Sequence, residues 1–367
     1  MEMEYIPHVP VEIRKQDRFR GCLLGGAVGD ALGAPVEFLS LAEITRRFGE
    51  GGIREYSPAY GKIGAITDDT QMTLFTAEGL LRAWVRVTER GVGPSYVTVT
   101  KEAYLRWIET QGYPNRCRFP ESRGWLIGHA ELFNRRAPGN TCLSALRTIE
   151  DERAINNSKG CGGVMRVAPA GLFLPNAIRS LRLQDWVGET FRLGADLAAI
   201  THGHPSGYLA AGTFALLIGL VGRGFDFHFA LSAAKDELRT HDGHEETLRA
   251  IELAEELASS ECSRQQAVRK LGEGWVAEEA LAIAIYCVLK ADNFESGVVA
   301  AVNHDGDSDS TGSIAGNLLG CLYGVASIPD KWLEQLELRN VIEEIADDLV
   351  TFPEWDVSGY RERYPPN

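Results

Sequence analysis

The sequence lacks a disulfide framework, a zinc ribbon and the common nucleotide-binding loops. Its seven cysteines, Cys22, Cys117, Cys142, Cys161, Cys262, Cys287 and Cys321, are odd in number and scattered, and no two form a CxxC pair. Free or buried thiols are therefore expected. Gly-Lys-Ser/Thr is absent, and no GxGxxG follows a strand-like run, which excludes a Walker loop and a dinucleotide fingerprint. Positive charge is scarce: 37 Lys and Arg stand against 51 Asp and Glu, a net charge of −14. Such a chain gains little from counterion release on nucleic acid and fits an anionic membrane surface poorly. An anionic ligand would need positive potential built into its site, from a metal ion or from helix N-termini. Long apolar runs are few. YLAAGTFALLIGLVG (residues 208–222) is short for a bilayer span and reads as a buried helix. The first residues, MEMEYIPHVPVEIRKQDRF, are charged and have no apolar centre, so no secretory signal is read there and a cytoplasmic protein is expected. Gly-Ser linkers and solenoid-length repeats are missing too.

Helical periodicity is abundant. It covers 18–33, 68–88, 96–109, 122–134, 178–199, 205–221, 226–238, 244–258, 278–290, 294–303, 309–324 and 338–350. YVTVT (96–100) is the main run that also suits a strand. With 44% hydrophobic residues, the expectation is an all-α fold: one compact many-helix domain over residues 20–367, preceded by an arm of residues 1–19.

Two segments carry glycine at every fourth position: Gly21, Gly25, Gly29 and Gly33, then Gly312, Gly316, Gly320 and Gly324. That spacing lines one helix face. Glycine costs about 1 kcal/mol against alanine inside a helix, so the stripes need a reason. In a soluble chain the reason inferred is close backbone approach between core helices.

Acidic groups stand before two helical segments. Thr67, Asp68 and Asp69 precede one; Asp307, Asp309 and Ser310 precede the second glycine-striped one. One residue of each set suffices to cap a helix. Paired carboxylates with a hydroxyl, twice over, favour a hard divalent cation over capping alone. An EF-hand loop from Asp305 would need Gly and Glu where Ser310 and Gly316 stand, and a DDxxD box fails at Met72.

In NNSKGCGGVMRVAPAGL (156–172), Gly160, Gly162 and Gly163 let backbone N–H groups approach a ligand, and Ser158 adds a hydroxyl. A phosphate cradle and an ordinary glycine turn both fit. Arg166 suits a ligand contact or a buried ion pair. His202 and His204, two apart, do not share a helix face; ligation or a structural role at the next helix start are both open. Glu37 in GAPVEF, by itself, reads as a solvated glutamate.

Taken in order, GCLLGGAVGDALGAPVEF, TDDTQM, SKGCGGVMRVAP, THGHP and DGDSDSTGSIAG resemble the ADP-ribosylglycohydrolase family, from about residue 18 to 325. The resemblance implies an all-α fold with a central cleft for two divalent cations, Mg2+ or Mn2+. Thr67, Asp68 and Asp69 would be ligands on one side, and Asp307, Asp309 and Ser310 on the other. Ser310 stands where the family often has Thr and is similar to the arginine-hydrolase branch. Asp305 falls where many members have glycine and is not assigned as a ligand. Cys161 replaces an asparagine found in several members, which removes an amide contact but leaves the backbone cradle. Glu37 and Asp69 would be catalytic. Glu37, Ser158, Gly160, Cys161, Gly162, Gly163, Met165 and His202 would contact substrate. The activity implied is removal of ADP-ribose from a modified protein side chain, most plausibly arginine, without nucleic-acid or membrane partners; a monomer is plausible. ADP-ribosyl-serine, O-acetyl-ADP-ribose or a catalytically silent crystallin-like role are the alternatives.

Overall fold

The two glycine stripes meet. A Cβ added to Gly21 would lie 2.1 Å from the Gly320 carbonyl oxygen, one on Gly25 2.3 Å from that of Gly316, and one on Gly29 1.9 Å from that of Gly312. Every position is closer than any real Cβ contact, so the helices touch backbone to backbone over three turns. The pairing order makes them antiparallel. Gly33 abuts Ser308 and Asp309 at the end of the stripe, whereas Gly324 departs from it, taking φ 78° against Ile13.

The computed structural model describes residues 13–366 apart from Val92 and Pro94. Among these are sixteen α-helices. In chain order they are α1 (Lys15–Gly33), α2 (Leu41–Phe48), α3 (Asp68–Arg90), α4 (Tyr96–Thr110), α5 (Asn140–Thr148) and α6 (Ala168–Ile178). Next come α7 (Val187–Ala199), α8 (Pro205–Gly222), α9 (Phe227–Leu238), α10 (Glu245–Ser259) and α11 (Arg264–Leu271). The last are α12 (Ala277–Leu289), α13 (Phe294–Val302), α14 (Ser308–Tyr323), α15 (Asp330–Leu333) and α16 (Arg339–Thr351). No strand occurs among the described residues beyond two isolated bridges, Ala59 with Lys62 and Gly160 with Val276. The fold is all-α, as the periodicity implies. Most of the arm expected for residues 1–19 lies outside the described residues, and α1 already begins at Lys15.

YVTVT opens α4 and is helical. The stretch 122–134 is not an α-helix; it holds two 3-10 turns, Leu126–Gly128 and Ala130–Phe133. Its fully buried anchors, Leu126 and Leu132, are six residues apart, a spacing that an α-helix would place on different faces. The segment 178–199 is also divided. Arg179 takes φ 56° and ends α6, and a polar turn follows before α7 starts at Val187.

The antiparallel pair α1 and α14 forms the centre, and every residue of α14 from Ser308 to Cys321 is buried. The α8 helix is long and apolar enough to cross a membrane by length and composition, but 89% of it is buried within the protein. It packs on α6, α7, α9, α12 and α14. Because α1 and α14 are pressed together by glycine, the C-terminus of α1 and the N-terminus of α14 come to one place. That place is the candidate functional site.

Candidate active site

Helix starts deliver the acidic groups. Asp307 caps α14, its carboxylate accepting from the Ser310 N–H at 3.3 Å. The Asp309 carboxylate accepts from the same N–H at 3.0 Å. Thr67 caps α3, its hydroxyl accepting from the Asp69 N–H at 3.4 Å. Asp68 reaches across to accept the Gly139 N–H at 3.2 Å. Glu37, four residues beyond the end of α1, closes the group from the opposite direction. Together with Cys161, Met165 and Ser310, these carboxylates line a cavity of about 300 Å3. The other walls include Pro138, Asn140, Thr141, His202, Phe38 and Trp275, and no Lys or Arg is among the lining residues.

Glu37, Asp307 and Asp309 offer ligand oxygens that all lie within 4.8 Å of one another. Burial and mutual repulsion push the Asp68, Asp69 and Asp309 carboxyls well above the ordinary range. Glu37 is pushed up to about 11 by burial and then by Asp309 and Asp307. Two buried oxygens, Glu37 Oε2 and Asp69 Oδ1, have no hydrogen-bond partner among the described residues. Orphaned buried carboxylate oxygens are costly, and a cation relieves the cost. The donor set is predominantly hard oxygen, which fits Mg2+, Mn2+ or Ca2+. The residues therefore fit a divalent cation.

The structure brings together Asp68, Asp69, Asp307, Asp309 and Ser310. Glu37, read from its local sequence as solvated and from the family resemblance as catalytic and substrate-contacting, is buried and also joins the candidate ligand group. Thr67 stands one step back, with its hydroxyl turned to Asp69 Oδ2 at 3.4 Å. Of the glycine segment, Gly160, Cys161, Gly162 and Met165 line the cavity; Ser158 and Gly163 lie behind it. The Ser158 hydroxyl is within 3.0 Å of the Thr141 hydroxyl. The Cys161 N–H is committed to the Trp275 carbonyl at 3.1 Å. The Cys161 thiol donates to Asp307 Oδ2 at 2.7 Å, and burial beside that carboxylate pushes it well up.

His202 lines the cavity, and its Nδ1 lies 2.8 Å from the Thr201 hydroxyl. Burial and the nearby Arg166 charge lower it to about 3, so it is neutral at neutral pH. His204 is a cap: its Nδ1 accepts the Ser206 N–H at 3.1 Å at the start of α8. Arg166 is fully buried directly behind the cavity wall, where its guanidinium donates to the Cys142 thiol at 3.3 Å. It donates to the Leu197 carbonyl and the Thr201 hydroxyl and lies 4.3 Å over the Tyr104 ring, without a carboxylate partner among the described residues. Asp305 accepts the Leu41 N–H at 2.8 Å and anchors the start of α2.

Sequence reasoning misses Asp30. This fully buried residue of α1 accepts the Thr67 and Thr70 N–H groups and so holds the start of α3. Its signal was a lone charge in an otherwise small and apolar helix stretch. Phe38 and Trp275 were missed as well.

The ADP-ribosylglycohydrolase family model matches residues 12–357. An uncharacterized protein of Archaeoglobus fulgidus is 31% identical, covering 91% of this chain and 96% of its own. The ADP-ribosyl-[dinitrogen reductase] glycohydrolase of Rhodospirillum rubrum is 26% identical over 88% of this chain and 91% of its own. The ADP-ribosylarginine hydrolase Tri1 of Serratia proteamaculans is 25% identical over 92% of this chain and 80% of its own. A solved structure described as an ADP-ribosylglycohydrolase-related protein complex superposes with a TM-score of 0.66 at 29% identity, covering 92% of this chain and 99% of the other. Sequence, fold and the carboxylate cavity converge, and the chain belongs to the ADP-ribosylglycohydrolase family of enzymes.

Proposed function

We propose that the cavity hydrolyses the N-glycosidic bond between ADP-ribose and an arginine guanidinium of a modified protein, with two divalent cations, Mg2+ or Mn2+. The observation that carries this reading is a cavity lined by five carboxylates and no Lys or Arg, two of whose buried oxygens lack a hydrogen-bond partner among the described residues. Such a lining attracts cations, both as cofactor and as a leaving group that stays protonated.

Asp68, Asp69, Asp307, Asp309 and Ser310 would hold the ions, with Glu37 close enough to join and Thr67 supporting Asp69. When bound, the ions supply a Lewis acid for ribose hydroxyls and make water more acidic. The carboxylates stabilise the positive charge that develops at the anomeric carbon in glycoside cleavage. Asp69 has a free oxygen to take a proton from the attacking water, and Glu37 orients the substrate or moves a proton. His202, neutral and fixed through Thr201, borders the ADP-ribose beside Gly160 and Gly162. The strongly negative chain is proposed to act in the cytoplasm, as a monomer, without nucleic acid or membrane.

The test is incubation of the purified protein with ADP-ribosylated arginine and serine peptides, with Mg2+, with Mn2+ and with chelator. Ion-dependent release of ADP-ribose from the arginine peptide is expected. Release from neither peptide would sink the proposal, and preference for serine would redirect it to the other linkage.

A further inference from the structure

Two large apolar side chains stand in the open at the cavity mouth. Phe38 is 70% exposed and Trp275 39% exposed. Their rings stack on each other, with centroids 5.8 Å apart and planes 18° apart. Exposed aromatics on a soluble protein are more informative than buried ones, because leaving them in water gains nothing for the fold. Both side chains line the cavity. Phe38 directly follows Glu37, whose Oε2 is buried without a hydrogen-bond partner among the described residues. Trp275 is held from behind: its Nε1–H donates to Glu273 at 3.2 Å, and its carbonyl accepts the Cys161 N–H.

Trp275 also lines a second, larger groove of about 710 Å3, whose walls include Thr45, Arg54, Arg264, Val268 and Asn303. Trp275 therefore stands at the border between a small acidic cavity and a broad surface groove, with Phe38 stacked on it from the cavity side. A group that crosses this border joins what lies in the cavity to what lies on the surface. It must be narrow, and next to five carboxylates it should be cationic.

We propose that Phe38 and Trp275 bind the planar guanidinium and stem of the ADP-ribosylated arginine and select it over neutral leaving groups. This deepens, and rests on, the arginine reading given above. A guanidinium gains from lying over an aromatic face, and its N–H fork can donate to a carboxylate at the same time. A serine ether offers neither. The larger groove then takes the polypeptide that carries the arginine.

The experiment compares the wild type with Phe38→Leu, Trp275→Leu and Trp275→Phe. It measures kcat/KM on ADP-ribosyl-arginine and ADP-ribosyl-serine peptides and the Kd of free ADP-ribose by calorimetry. The leucine variants keep apolar bulk and remove the π face. They should lose about tenfold in kcat/KM on the arginine peptide, in the range of one partly desolvated cation–π contact. Their serine kcat/KM and ADP-ribose Kd should stay within about twofold, and Trp275→Phe should keep most of the arginine rate. Equal losses on both peptides would make the rings mere cavity wall and overturn the proposal. Weaker ADP-ribose binding would overturn it in favour of an adenine contact, and unchanged rates would remove any role. If the wild type cleaves neither peptide, the hydrolase reading fails by itself. The pair is then judged on peptide binding, where tighter binding of the arginine peptide that the leucine variants lose supports it and equal affinity overturns it.

Discussion

The Asp30 carboxylate accepts the Thr67 amide with both of its oxygens, each at 3.0 Å, and so ties the end of α1 to the start of α3. The Thr70 N–H joins at 3.1 Å. Burial and the charge of Asp309 push Asp30 up to about 7. Asp30→Ala should orphan these donors at a cost of about 1–3 kcal/mol for each. Because Asp68 and Asp69 directly follow Thr67, the same change should weaken Mn2+ binding. Asp30→Asn keeps an acceptor for Thr67 and should lose less on both counts. Thermal melts and Mn2+ titration of the two variants check this.

Gly29→Ala places a Cβ 1.9 Å from the Gly312 carbonyl oxygen. Intrinsic propensity alone would favour alanine by about 1 kcal/mol. Overpacking against a backbone atom, which cannot rotate away, should reverse the sign and cost about 3 kcal/mol or more. Gly128→Ala meets no atom within 4 Å and should be close to neutral. Denaturant midpoints of the two variants give the contrast, and equal midpoints would refute backbone contact along the stripe.

Asp309 stands in the way of its neighbours as well as serving them. Its charge is the largest electrostatic cause of the upward shifts at Asp68 and Asp69. Asp309→Asn should raise the melting temperature of the ion-free protein, because it removes that repulsion without removing bulk. The same variant should lose more than about 100-fold in turnover and most ion-induced stabilisation, as expected of a ligand rather than a supporting residue. A destabilised ion-free variant with normal turnover would show that Asp309 has a structural task only.

The all-α fold, the tight glycine pairing and the acidic cluster were legible in the sequence because each is written as local spacing. Glycine at every fourth residue specifies a face, and Thr67, Asp68 and Asp69 sit at a helix start whose position periodicity fixes. The short helices α2 and α11 were not legible, since eight residues carry too few turns for a periodic signal; their capping boxes, Ser40 with Glu43 and Ser263 with Gln266, were the available sign. Asp30 and Asp305 show the other limit. Each acts on a backbone amide distant in sequence, Thr67 in one case and Leu41 in the other, and no spacing rule encodes such a partner. Trp275 escaped for the same reason, reaching the cavity through the loop before α12.

The carboxylates also predict how ions and pH combine. Asp68, Asp69 and Asp309 ionise near 3.8 when unfolded and are raised in the ion-free fold. For an acid with a raised folded value, its contribution to stability is whole below the unfolded value and is lost as pH rises through the folded one. His202 works in the opposite direction: lowered to about 3 from 6.5, it contributes above pH 6.5 and is lost as pH falls toward 3. His202 is common to the ion-free and ion-loaded protein, so the difference between the two isolates the acids. The rise in melting temperature on adding Mg2+ or Mn2+ should therefore be larger at pH 8 than at pH 5, by the linkage of ion binding to folding. Binding at neutral pH should also release protons, visible as calorimetric heats that differ between buffers of different ionisation enthalpy. A stabilisation independent of pH, with no proton release, would mean that the cluster is fully ionised before any ion arrives. Burial and repulsion would then be offset by something other than the protons that the raised values assign to it.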